Sequence, residues 1–258
     1  MGEWDLLALL VVALLAGFID AVAGGGGLIQ VPTLFTALPE ESPARVFGTN
    51  KLSSIFGTAN ATWRYARRLE MPWALALRTA IAAFAFSFAG AAVVDWLPKA
   101  VVRPVVLVLL VGVIVYTALR PDFGKAGLLV AERVARRRAV LMGAVMGFYD
   151  GFFGPGTGSF LVFGFVRFFG LDFLRATSAA KVVNLSTNAA ALCYFVPSGN
   201  VIVVTGLMMA MANMVGAQIG ARAAIRHGSG FVRWVFLGVA VVLASKFGFD
   251  TLRELGFT

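Results

Sequence analysis

The sequence predicts an all-α, polytopic membrane protein built from two inverted repeats of about five hydrophobic segments each, with glycine-broken helices at the repeat interface. Three observations carry this. Apolar runs long enough to span a bilayer recur along the whole chain. Of 258 residues 59% are hydrophobic and only 14% charged, where a soluble domain has about a quarter charged. Finally, Gly17-Phe18-Ile19-Asp20-Ala21-Val22-Ala23-Gly24-Gly25-Gly26-Gly27 returns 130 residues later as Gly147-Phe148-Tyr149-Asp150-Gly151-Phe152-Phe153-Gly154-Pro155-Gly156-Thr157. Each copy is an apolar run that carries one acid and then breaks at glycines.

In chain order, residues 4–23 form a first apolar segment that stops at the glycine run. Residues 28–38 form a short second one, closed by Pro39-Glu40-Glu41-Ser42-Pro43. Residues 44–66 carry a polar stripe of Thr49, Asn50, Lys51, Ser53, Ser54, Thr58 and Asn60, and end in Arg64, Arg67, Arg68 and Glu70. Residues 72–95 and 101–119 complete the first repeat, 1–119. A basic linker, 120–138, includes Lys125, Arg133, Arg136 and Arg137. The second repeat, 139–258, has segments near 139–153, 157–169, 174–196, 200–225 and 231–249. The same offset relates Arg45 to Arg175, Lys51 to Lys181, and Gly90-Ala91 to Gly220-Ala221. Ungapped recurrence of acid, glycines and lysine marks an internal duplication of the kind transporters carry. Segments 1 and 2, like 6 and 7, are each short for full spans, so each pair is either a broken crossing or a re-entrant hairpin.

Charge placement argues for the orientation. The net charge is +9, and the positive-inside rule accounts for it better than nucleic-acid binding does. An odd number of segments per half inverts the second copy. With the linker cytoplasmic, the 64–70 loop, Arg167 to Arg175 and Arg222 to Arg233 fall on the same side; Glu40, Glu41, Asp95 and both termini fall outside, with Lys99 and Arg103 as the main exceptions. The acidic start, Met1-Gly2-Glu3-Trp4-Asp5, reads as a retained first span rather than a signal peptide.

Several chemistries are excluded. Cys193 and His227 are the only residues of their kinds, so neither a disulfide framework nor a thiolate or histidine metal site is expected, and no cofactor is expected. His227 beside Arg226 is expected in a loop. Hydrolase, zinc-protease and nucleotide-binding motifs are absent, and the chain is not expected to be an enzyme.

The candidate site rests on intramembrane charge. Lys51 and Lys181 occupy equivalent positions within apolar segments, beside Asn50, Ser53, Asn184, Ser186, Thr187 and Asn188. On a helix Lys51, Ser54 and Thr58 share a face, as do Lys181, Asn184 and Asn188. Two cations with amide and hydroxyl donors, next to glycine loops that offer backbone amides at Gly25, Gly26, Gly156 and Thr157, describe an anion site between the repeats. Asp20 and Asp150 pair with these lysines, within each half or crosswise, or carry a proton. Gly143, Gly147, Gly216 and Gly220 are expected at close helix contacts, and Pro32 and Pro155 at helix breaks.

These two glycine motifs, with Gly48-Thr49-Asn50-Lys51-Leu52, resemble the sulfite exporter TauE/SafE family of membrane transporters over nearly the whole chain. The resemblance implies a bacterial inner-membrane protein that moves small sulfur-containing anions such as sulfite or organosulfonates, often by export. The second half departs from the pattern: Ser178-Ala179-Ala180-Lys181 keeps the lysine, while the asparagine moves to Asn184. The expected partners are a small inorganic or organic anion and the lipid bilayer, with no nucleic acid; a homo-oligomer is compatible with this. The alternatives are a non-transporting membrane scaffold, a subunit of a larger complex, or an anion channel.

Overall fold

The structure, a computed structural model, describes residues 3–96 and 132–254. The expected segment 101–119 and linker residues 120–131 lie outside the described residues. Eight helices follow in order: α1 (Glu3–Ala23), α2 (Gly27–Ala37), α3 (Pro43–Arg68), α4 (Trp73–Trp96), α5 (Glu132–Phe152), α6 (Thr157–Phe169), α7 (Phe173–Phe195) and α8 (Val203–Glu254). Among the described residues there is no strand.

Local chemistry sets the boundaries. Ser42 caps α3 by accepting from Arg45 N at 3.2 Å, and Pro43 occupies the first turn, where its missing N–H costs nothing. Asp172 caps α7 by accepting from Leu174 N and Arg175 N, both at 3.0 Å. α8 contains a non-helical residue, Gly228 (φ 71°, ψ −169°), so the two apolar runs expected there are two helices joined at a kink.

Four expectations need correction. α1 and α5 have 21 residues each, about 31 Å at 1.5 Å per residue, which is enough to cross a hydrocarbon core. Only α2 and α6, with 11 and 13 residues, are short. α5 reaches its length by starting at Glu132, so Arg133, Arg136 and Arg137 sit on its first turns and not in a loop. Pro32 does not break α2, which continues through it; the Thr33 and Thr36 hydroxyls bond the Ile29 and Pro32 carbonyls at 2.7 and 3.0 Å, reinforcing the turns on either side. His227 is helical, its ring Nδ1 lying 2.9 Å from the Ala223 carbonyl oxygen.

The helices form two sets that run in opposite directions. α1, α3 and the first part of α8 run together: Gly216 lies against Leu14 and Gly220 against Phe18, while Gly48, Gly57 and Gly206 lie against Asn200, Asn213 and Leu52. α4, α5 and α7 run together: Gly143, Gly147 and Gly151 lie against Thr79, Ala83 and Ser87, and Ser186 Oγ and Ser87 Oγ donate to Ala80 O and Thr187 O, each at 2.9 Å. The sets oppose each other, because α3 meets α7 with Glu70 near Arg175 at one end and Gly48 near Phe195 at the other.

The contacts also recur with the halves exchanged. Gly220 on Phe18 becomes Gly90 on Phe148, and Gly17 on Asn213 becomes Gly147 on Ala83. At each of these four glycines a Cβ would overlap a carbonyl of the facing helix. The small residue is therefore what lets the backbones approach.

Polarity is arranged for lipid. Leu7, Val11, Ile81, Leu141, Val204 and Met211 are exposed on the outer surface, whereas Asn50, Lys51, Thr58, Lys181, Asn184 and Asn188 are buried. Among the described residues, three helical stretches are long and apolar enough to cross a membrane: Trp4–Ala23, Trp73–Val94 and Val203–Val235. α3 and α7 turn their polar faces inward.

Gly90→Val and Gly220→Val should each destabilise the protein by about 1–3 kcal/mol, since added methyls in a close-packed contact force backbone shifts. Thermal unfolding in detergent would show this as matched losses at the two positions. Gly230→Ala, where nothing lies within 4 Å, is the control and should not lower stability.

Candidate functional site

The two chain breaks meet. Gly24 (φ 76°) and Gly25 (φ 93°) turn the chain between α1 and α2; Gly154 (φ 91°) and Gly156 (φ 84°) do the same between α5 and α6. These backbone angles strain any L side chain. The missing Cβ atoms also matter for contact: one on Gly158 would lie 2.8 Å from Gly24 Cα, so the two breaks touch backbone to backbone. Hydroxyls hold them in place. Tyr65 OH donates to Ala21 O at 2.7 Å, Tyr149 OH to Pro155 O at 2.8 Å, and Thr157 Oγ1 to Gly154 O at 2.7 Å.

Around the crossing, the charges pair between the halves. Lys51 Nζ of α3 lies 2.8 Å from Asp150 Oδ2 of α5, and Lys181 Nζ of α7 donates to Asp20 Oδ2 of α1 at 2.8 Å. Of the two arrangements the sequence leaves open, the fold adopts the crosswise one. The reason is geometric: α1 and α3 run together, whereas α3 and α7 oppose each other and bring each lysine to the acid of the other half.

A cavity of about 40 Å³ lies among these groups. α3 lines it with Asn50, Lys51, Ser54 and Thr58, and α7 with Asn184 and Asn188. The breaks contribute Gly25, Gly26 and Gly27 from one side and Gly154, Gly156, Thr157 and Gly158 from the other. Asp20 and Asp150 complete the charged wall. The N-termini of α2 and α6 thus open onto the same space, where unpaired N–H groups and the positive ends of the helix dipoles favour an anion. Asn50 Oδ1 and Asn184 Oδ1 are buried without a hydrogen-bond partner; as acceptors they call for a donor in the cavity, and only the Nδ2 groups of these asparagines could meet an anion's oxygens.

The structure brings together most of the residues singled out in the sequence. Ser53, Lys181, Ser186 and Thr187 are the exceptions: Ser53 is buried one position round α3 from Ser54, Lys181 is buried behind Asp20, and the Ser186 and Thr187 hydroxyls donate to Ala80 O and Asn184 O. Asn213 of α8 is the addition. Its Nδ2 donates to Gln30 Oε1 at 3.1 Å and it lines the cavity. Its signal was a lone amide in the run Met208–Val215, where a polar side chain within an apolar span needs a purpose. Among the described residues, no group of three or more His, Cys, Asp or Glu could hold a metal ion.

Comparison with known proteins agrees with this architecture. The model of the family described as sulfite exporter TauE/SafE matches residues 9–247. A protein named "Probable membrane transporter protein ORF9" from Sinorhizobium is 36% identical over 98% of this chain and 96% of its own length. "Probable membrane transporter protein YfcA" of Escherichia coli K12 is 35% identical over 93% of this chain and 88% of its own. A "Probable membrane transporter protein" of Haemophilus influenzae is 31% identical over 95% and 96%. No solved structure matches the chain.

The crosswise pairing has a thermodynamic signature. Lys51→Gln leaves Asp150 an uncompensated buried charge and should cost roughly 3–5 kcal/mol in unfolding experiments. Adding Asp150→Asn should restore most of that stability, and adding Asp20→Asn should not. Rescue by Asp20→Asn in place of Asp150→Asn would mean that the lysines pair within their own halves.

Proposed function

The chain belongs to the sulfite exporter TauE/SafE family of membrane transporters, and on that premise we propose that it is a secondary transporter that exports a small sulfur-containing oxyanion, such as sulfite or a short organosulfonate. It is a multi-pass membrane protein. The observation that carries the substrate reading is the meeting of two helix N-termini, Lys51 and buried amides around one cavity of about 40 Å³. That volume suits an anion of a few heavy atoms, given that a cavity holds one water at about 10–15 Å³. Backbone amides and asparagines meet the oxygens; Lys51 balances the charge.

The two lysines and two aspartates of the pairs sum to zero charge. An arriving anion leaves the site net negative in a low-dielectric setting, which opposes its entry unless a proton accompanies it. Asp20 and Asp150 orient the lysines or carry that proton, and do not contact the anion.

The two opposed helix sets and the contacts that recur with halves exchanged support a pair of inverted repeats, 1–119 and 139–258, about an axis in the membrane plane. The linker 120–138 then faces the cytoplasm, together with the Glu70–Arg175 end of the bundle.

Proteoliposomes test the transport reading. Radiolabelled sulfite should enter with saturable kinetics, faster under an imposed pH gradient, and Lys51→Gln should abolish the saturable component. Flux that never saturates would indicate a channel; absence of flux for sulfite, sulfate and short sulfonates alike would leave a scaffold.

Labelling tests the orientation. In a Cys193→Ser background, Glu70→Cys should react with an impermeant thiol reagent from the cytoplasm and Ser198→Cys from outside. Reaction of both from one side would remove the inversion.

A further inference from the structure

The duplicated sequence suggests two equivalent lysines, yet the structure treats them unequally. Lys51 forms part of the cavity wall and Lys181 does not. The side chain of Lys181 has no exposed surface, and its partner Asp20 is 23% exposed; in the other pair the values are 3% for Lys51 and 6% for Asp150. The bonding differs too. Lys181 makes an aligned hydrogen bond to Asp20 Oδ2. Lys51 sits at the same distance from Asp150 Oδ2, but that oxygen accepts no aligned hydrogen bond. Lys51 is also pressed against the second break, since a Cβ on Gly154 would lie 3.1 Å from its Nζ. One pair is a closed, well-aligned bond that presents its acid to the cavity. The other is a misaligned contact that presents its cation.

We propose that the two ion pairs divide the work: Lys51 is the cation that meets the anion, and Lys181 is a positioning residue that acts through Asp20, the acid it holds on the cavity wall. This rests on the anion-transport reading above. An anion reaching Lys51 also meets Asp150 on the wall, but that acid holds Lys51 by a contact that lacks hydrogen-bond alignment. To reach Lys181 it would first have to displace Asp20, a like charge, from an aligned bond. Lys181 therefore fixes where Asp20 stands and what its charge experiences, without touching the anion.

The test uses the full chain, purified in detergent, with sulfite and sulfate as probes in calorimetry. Lys51→Gln should weaken binding by about ten- to a hundredfold, the worth of one charged hydrogen bond, and Lys51→Arg should recover part of it. Lys181→Gln, which leaves Asp20 unbalanced on the wall, should weaken binding less than Lys51→Gln does. In an Asp20→Asn background the same substitution should not weaken binding further, whereas Lys51→Gln still should. A second arm needs no anion binding: in a Cys193→Ser background, Lys51→Cys should react with an anionic methanethiosulfonate much faster than Lys181→Cys. Equal losses of affinity for the two glutamine variants, or equal labelling rates, overturn the division and leave the transport reading intact. A parent protein that binds neither probe overturns the transport reading and Lys51's role as ligand, and the labelling rates then still judge the unequal access.

Discussion

Everything in this fold follows from the cost of keeping four charges inside a membrane. A lone carboxylate or ammonium is expensive there, so each must find an opposite charge within the protein. Here the partners are in opposite halves: Lys51 with Asp150, Lys181 with Asp20. A pair within one half would have satisfied the same charges without fixing how the halves meet. Crosswise pairs tie them together at mid-bundle, and they do so on both sides of the crossing point of the two helix breaks.

The glycines make that crossing feasible. Gly24, Gly25, Gly154 and Gly156 supply backbone angles that side chains disfavour. Gly17 and Gly220 seat α1 closely on α8, and Gly90 and Gly147 seat α5 closely on α4, so the two helices that carry the acids are each held by a backbone contact. Exposing broken helix ends inside a membrane is tolerated only where they line a cavity or are buried in protein. The protein does both, and the exposed amides face a polar space instead of lipid.

The sequence made much of this legible. The apolar runs located the helices because a membrane span is written in composition. The two breaks and the lysine–aspartate set were legible because the duplication displays them twice. What it left open depended on packing. Charge placement pointed to the inversion, but which acid each lysine meets is decided by how α3 and α7 pack against α5 and α1, and no local pattern encodes that. Ser53 and Ser54 differ by one step round a helix, and only the position of the neighbouring helices shows that Ser54 lines the cavity. Lys181 matches Lys51 in sequence but stands behind Asp20, because duplicated sequences need not pack as equals. Asn213 entered the site from α8, a helix without polar repetition to mark it. Pro32 was misleading because a proline between hydroxyl-reinforced turns need not end a helix.

The central claim is that crosswise pairing and paired helix breaks together build one anion site. Diffraction from crystals grown with selenate or selenite, using the anomalous signal of selenium, examines it most directly. The account predicts a single selenium position between Gly25–Gly27 and Gly156–Gly158, with an oxygen at about 2.7–3.2 Å from Lys51 Nζ and the Lys181–Asp20 bond intact. A selenium position remote from both breaks, with the Lys51–Asp150 contact unaltered, would contradict it.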